Sequence, residues 1–154
     1  MKGRIYVAGP LFSEAERAFN FIVDKHLQEL GYSTFLPQRD GEELHALVQS
    51  GMLSLDALSR VFEKDISEIR KADLVVFIMD GRVPDDGACV EIGFAFALGI
   101  ECIGLKMDSR SLMHGLDNPM ILGALRFRVA NSIDQLDTFV EDVRCGSRPM
   151  VILQ

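Results

Sequence analysis

Four carboxylates stand close together near the middle of the chain: Asp80, Asp85, Asp86 and Glu91, within the stretch DGRVPDDGACVEIGFAFALGI that runs from Asp80 to Ile100. After Gly87 the stretch turns apolar, and Glu91 is the lone charge between Gly87 and Ile100. Read as a helix, it gathers Val90, Phe94, Ala95 and Leu98 around Glu91. Ile92 and Phe96 cover other sides, so the expected helix is apolar nearly all round and largely buried. A carboxylate there must be paired, protonated or turned toward a cleft, because an isolated buried charge is very costly. Pairing with an arginine or capping a neighbour would be the plain structural account of Glu91. The aspartates just ahead of the same helix favour a site instead.

A carboxylate cluster in an apolar cleft suits three tasks. It can hold a divalent metal through oxygen ligands. It can break a glycosidic bond with two acids, one nucleophilic and one a proton donor. It can also accept hydrogen bonds from sugar hydroxyls. Metal binding is disfavoured because no histidine accompanies the acids; His26, His45 and His114 are scattered. Cys89, Cys102 and Cys145 form no CxxC pair and read as reduced thiols. No cofactor is expected: the loop after the first strand is AGPLF, not GxGxxG, and no Walker-type lysine is present.

The elements that would position these acids alternate between strand and helix. Arg4 to Ala8 is a short apolar strand stopped by Gly9-Pro10. Ser13 with Glu16 forms a capping box. It opens a helix with apolar positions Ala15, Phe19, Ile22, Val23, His26, Leu27 and Leu30, ended by Gly31. Tyr32 to Leu36 is a second strand, followed by a polar loop over Gln38 to Gly41 and a short helix from Glu42 to Gln49. A further helix runs from about Leu55 to Lys71. The third strand, Asp73 to Met79, is hydrophobic enough for the middle of a parallel sheet. After the helix of Glu91 come a strand at Glu101 to Lys106, a loop, and a short helix opening at Pro119. A strand at Phe127 to Ala130 and a last helix, capped by Ser132 with Gln135, complete the order. The apolar run after Arg148 is expected as an edge strand or an oligomer contact.

Such alternation implies an α/β fold: one Rossmann- or flavodoxin-like doubly wound domain over residues 1–154, with a mostly parallel five-stranded sheet flanked by helices. Ligands of such folds bind beyond the carboxyl ends of the strands, where the winding reverses. With 154 residues, 48% of them hydrophobic, the chain can build a real core. A net charge of −7 without a basic run argues against nucleic acid. Gly9-Pro10 interrupts the N-terminal apolar run, so neither a signal peptide nor a membrane span is expected, and the compartment is expected to be the cytoplasm.

The residues at the strand ends resemble those of the nucleoside 2-deoxyribosyltransferase family. The matching pieces, in order, are Ile5 to Phe12 (IYVAGPLF), Phe35 to Gly41 (FLPQRDG), Lys71-Ala72-Asp73, Asp80-Gly81, Asp85 to Gly93 (DDGACVEIG) and Asp117 to Met120 (DNPM). Together they span about residues 4 to 140. The resemblance implies retaining transfer of 2-deoxyribose between nucleobases, with Glu91 as the nucleophile and Tyr6 orienting it. By the same likeness Asp85 handles the base and its proton, and Asp65 holds the sugar side. Phe12 and Gln38 would line the base pocket, and Asn118 would reach a neighbouring subunit's sugar 5′-hydroxyl. Gly9, Asp80, Asp86, Gly87 and Met120, which lie in the matching motifs, complete the implied substrate-binding set. The implied partners are a deoxynucleoside, a free nucleobase and further copies of the chain, as dimer or hexamer. Ala88 stands where the family often has threonine, so one hydroxyl donor is absent.

Two other readings use the same residues. A hydrolase of the superfamily would let water resolve the intermediate, acting on nucleosides or nucleoside 5′-monophosphates. A non-catalytic nucleoside- or nucleotide-sensing domain would bind ligand without reacting.

Overall fold

The computed structural model describes residues 2–110 and 116–146. The C-terminal apolar run expected as an edge strand, and His114, lie outside the described residues. Five strands, β1 (Arg4–Ala8), β2 (Ser33–Phe35), β3 (Leu74–Ile78), β4 (Glu101–Leu105) and β5 (Val129–Ala130), form one sheet in the order β2-β1-β3-β4-β5. All four pairings are parallel. This is the flavodoxin-like doubly wound order, whose winding reverses between β1 and β3. The central β3 is buried at every position, as a strand covered on both faces must be.

The helices divide between the two faces. On one side α1 (Glu14–Glu29) and α7 (Ile133–Arg144) cover Ile5, Val7, Val76, Ile78 and Leu105. On the other, α4 (Ser54–Ile69) and α5 (Asp86–Ala97) cover Tyr6, Ala8, Val75 and Phe77, with Ile121 and Ala124 of α6 (Pro119–Ala124) packed against the same core. Strand alternation therefore sends Tyr6 and Ile78 to opposite faces.

Local signals account for the boundaries. Ser13 and Glu16 make the full capping box at α1: the Glu16 amide donates to Ser13 Oγ (3.2 Å), and the Ser13 amide donates to Glu16 Oε2 (2.7 Å). Gly31 ends that helix at φ +95°. The expected box at α7 closes differently. The Gln135 amide donates to Ser132 Oγ, but the Gln135 side chain accepts from the Asn131 amide, one residue upstream of the cap.

Three expectations are corrected. Pro37–Asp40 is a short helix, α2, not a loop, because proline fits the first helical turn. In α1, Ile22 is 59% exposed, and the buried turn positions are held by Asn20 and Asp24 instead. Most consequentially, α5 is not buried all round: Val90, Phe96 and Leu98 are 61%, 47% and 42% exposed. The sheet covers only the side carrying Ala88, Ile92 and Ala95. The remaining apolar side of α5 lies open on the single chain. α3 (Leu44–Gln49) lies ahead of α4 and packs against it.

Candidate active site

Tyr6 is fully buried in β1, and its ring stacks on Phe35 of the neighbouring β2 strand at 5.3 Å between centroids. This packing aims the phenol toward α5, where it donates a 2.6 Å hydrogen bond to Glu91 Oε1. Burial, and the carboxylates of Glu91 and Asp65, push the Tyr6 phenol far up, so it stays a donor. Glu91 has no arginine or lysine partner among the described residues. Burial pushes its carboxyl up to about 8; the bond from Tyr6 opposes the rise, while Asp65 and Asp85 add to it. Asp65, on α4, is raised to about 6, again chiefly by burial. Glu91 thus feels the charge of Asp65 and Asp85 at the carboxyl end of the sheet, beside the switch between β1 and β3.

Asp85 serves α5 as its N-cap, its Oδ2 accepting from the Ala88 amide at 2.7 Å. That bond fixes its carboxyl one and a half turns ahead of Glu91. Asp86 is exposed and accepts from the Gly87 amide. Behind the site, Glu68 anchors α4. It is 5% exposed and accepts from Arg4 (2.5 Å), Lys64 (3.0 Å) and Lys71 (2.9 Å). Burial works against its charge, but Lys71 and Lys64 prevail and hold it down at about 2. Lys64 also sits over the Phe35 ring at 5.5 Å, which ties the anchor to the stack beneath Tyr6.

The remaining expected residues fall into two groups. Phe12 and Met120 are exposed, at 77% and 81%, and free to meet a ligand or another chain. Gln38 and Asp80 are engaged within the fold. Gln38 donates to the Arg17 carbonyl (2.8 Å) and accepts from Asn20 (2.9 Å). Asp80 Oδ1 accepts from the Met107 and Asp108 amides, bracing the turn at Gly81, whose φ of +140° favours glycine. Gly9 is required by closeness: a Cβ there would lie 2.9 Å from the Cβ of Ile78. Asn118 caps α6 through its Oδ1 (2.9 Å to the Met120 amide). With Met120 and Phe96 it lines a cavity of about 600 Å³ between α5 and α6, which Glu91 does not line.

Sequence reasoning missed Phe35, Glu68, Arg39 and Asp24. Arg39 pairs with the buried Asp24 and with Asp40, and Asp40 accepts from the Leu36 amide at 2.9 Å. The run FLPQRDG thus locks the end of β2. A buried aspartate on α1 facing an arginine was the available signal. Among the described residues no group of three or more His, Cys, Asp or Glu side chains is arranged to hold a metal. None of the described helices is long and apolar enough to cross a membrane.

A family model described as nucleoside 2-deoxyribosyltransferase matches residues 5–144. Among solved structures, a conserved protein from Enterococcus faecalis V583 superposes with a TM-score of 0.73 at 24% identity, covering 94% of this chain and 98% of that chain. The 2-deoxyribosyltransferase of Bacillus psychrosaccharolyticus gives 0.62 at 24% identity, covering 79% and 82%. A CMP N-glycosidase of Clostridium botulinum gives 0.55 at 17% identity, covering 90% and 98%. At these identities the likeness is one of fold. No curated protein sequence matches the chain.

Proposed function

The chain belongs to the nucleoside 2-deoxyribosyltransferase family, a family acting on nucleosides and nucleobases, and from that premise we propose that it exchanges nucleobases on 2-deoxyribose through a covalent ester at Glu91. The observation that carries this reading is the Tyr6–Glu91 hydrogen bond: a lone carboxylate without a cationic partner, oriented by a phenol that stays protonated.

In the first step a Glu91 carboxylate oxygen attacks C1′, and the C1′–N bond breaks. The bonding pair leaves with the base, which takes a proton from Asp85. In the second step a nitrogen of the incoming base attacks C1′, releases the Glu91 carboxylate and returns a proton to Asp85. Two inversions give net retention. An apolar setting leaves the nucleophile weakly solvated, and the positive charge developing on the sugar favours its ionised form. Asp65 would accept from a sugar hydroxyl, a role its protonation above the ordinary aspartate range keeps adjustable.

Phe12 and Gly9 would flank the base, with Gln38 and Asp80 holding the loops in place more than touching ligand. Asp86 and Gly87 shape the entry to α5. The open side of α5, with Phe96 and Met120 exposed beside Asn118, supports self-association. A second copy seated there would let Asn118 complete a neighbour's sugar site with its amide nitrogen. Water replacing the incoming base would give hydrolysis, and the solvent contact of Glu91 leaves that outcome open to the same residues.

The test is to incubate deoxyinosine with adenine and separate the products. Deoxyadenosine is expected. Free deoxyribose alone would reassign the chain as a hydrolase, and unchanged substrate would leave the sensing role.

A further inference from the structure

We propose that Lys64 is a positioning residue of the transfer site, a fixed positive charge that keeps Asp65 available as the acceptor for a sugar hydroxyl. Its ammonium is held twice. It donates to Glu68 Oε1 at 3.0 Å, one turn along α4, and it sits 5.5 Å over the ring of Phe35. Phe35 stacks on Tyr6, which in turn bonds Glu91. The cation is therefore built into the same block as the nucleophile, and its side chain is 35% exposed.

The arrangement gives Asp65 a nearby charge without occupying its oxygens. Adjacent positions on a helix do not face each other, and Lys64 makes its ion pair with Glu68. The Asp65 carboxyl has no hydrogen bond or ion pair among the described residues. It is half-buried, and its oxygens are not sealed from solvent. A lysine bonded to Asp65 would fill the acceptor positions that a substrate hydroxyl needs. Held on Glu68 and Phe35, Lys64 acts on Asp65 through its field alone.

That field opposes the other influences on Asp65. Burial raises its carboxyl most; Lys64 is the one cation that lowers it, and Glu68 adds to the rise. Facing it, Glu91 and Asp85 on α5 are carboxylates, and Tyr6 on β1 stays protonated. Arg4 and Lys71 are committed to Glu68. Those two pairs also leave Glu68 partnered when Lys64 is replaced, so the packing behind the site does not hang on Lys64. The role given to Asp65 rests on reading the site as one of deoxyribosyl transfer; the action of Lys64 on its charge does not.

The experiment compares Lys64→Met, Lys64→Arg and Lys71→Met by ¹³C titration of the Asp65 carboxyl and by the pH dependence of transfer. In the wild type Asp65 titrates at about 6. Lys64→Met should move that titration, and the limb of kcat/KM that it sets, up by about one pH unit, with transfer at pH 6 down about tenfold. Lys64→Arg keeps the charge over Phe35 and a donor to Glu68, and it should restore both. Lys71→Met also takes one cation from Glu68 but should displace the Asp65 titration far less, a contrast that a merely structural role would not produce. Lys64→Gln, which can still donate to Glu68 without a charge, gives the same reading should the methionine variant fail to fold. An Asp65 titration unmoved by loss of the Lys64 charge, an equal displacement in Lys71→Met, or no recovery in Lys64→Arg would overturn the proposal. A displaced Asp65 titration in a chain without transfer would leave the action of Lys64 standing and remove only the reading of the main site.

Discussion

Tyr6 and Glu91, 85 positions apart in sequence, meet in a 2.6 Å hydrogen bond in which the phenol is the donor. The bond is possible because Tyr6 leaves β1 toward the face that α5 covers, and because Phe35 stacks on its ring from the adjoining strand. It is also the one local contact that favours the ionised form of Glu91 against burial and two neighbouring carboxylates. That balance makes the site sensitive to pH and to the loss of one oxygen atom.

Tyr6→Phe keeps the stacked ring and removes the donor. Glu91 then loses the contact that lowers its pKa, so the alkaline rise of kcat/KM should move to higher pH. Near neutrality activity should fall about tenfold to a hundredfold, with partial recovery in more alkaline buffer. A pH–rate profile beside the wild type checks this. An unchanged profile would mean that the phenol does not act on Glu91.

Ionisation of Glu91 should itself shape the wild-type profile. Glu91 sits at about 8 in the free protein, and its carboxylate is the attacking form, so kcat/KM should carry a rising limb from pH 6 through pH 8, opposed by the falling limb that a proton-donating Asp85 imposes. The same shift reverses the usual link between a carboxylate and stability. The folded value of about 8 lies above the ordinary 4.5, so ionisation in the fold costs stability progressively between those limits and fully above about pH 8. Glu91→Gln should therefore lose transfer by about a thousandfold or more. It should also be more stable than the wild type at pH 9, by at most about 5 kcal/mol, with little difference at pH 4. Calorimetry at both pH values reads the sign.

Glu68→Gln should destabilise the chain by about 3 kcal/mol, because Arg4 and Lys64 are left around a buried neutral group. For Glu68 the linkage runs the ordinary way. Its folded value of about 2 lies below 4.5, so its contribution is present above about pH 4.5 and is lost as pH falls toward 2. Denaturant titrations at pH 7 and pH 2.5 should show a large gap between wild type and variant at the first and a small one at the second.

Asn118→Ala and Glu91→Gln should each be poorly active, and a mixture that has exchanged subunits should regain part of the activity. The exposed side of α5 and the neighbouring Asn118 motivate this. Exchange demonstrated without any recovery would place Asn118 outside a shared site.

Much of this arrangement was legible in the sequence. Gly9-Pro10, Pro37 and Asp80-Gly81 marked the strand ends. The hydrophobic run of β3 marked the sheet centre, and the isolation of Glu91 marked a carboxylate that the structure leaves without a cationic partner among the described residues. The bond to Tyr6 came from family resemblance; spacing along the chain does not encode a contact across 85 positions. Gln38 and Asp80, expected at the ligand, also bond Asn20, Arg17, Met107 and Asp108 within the fold, contacts that the sequence does not encode. The open side of α5 was illegible for another reason. An apolar helix side buried by the sheet and one left for a second chain have the same composition.

The most direct measurement is intact-protein mass spectrometry after brief exposure to a deoxynucleoside without acceptor base, followed by peptide mapping. The account predicts an added deoxyribosyl mass on the peptide carrying Glu91, absent in Glu91→Gln and discharged when adenine is supplied. Turnover with no adduct in the wild type under rapid acid quench, or an adduct that persists in Glu91→Gln, would contradict it.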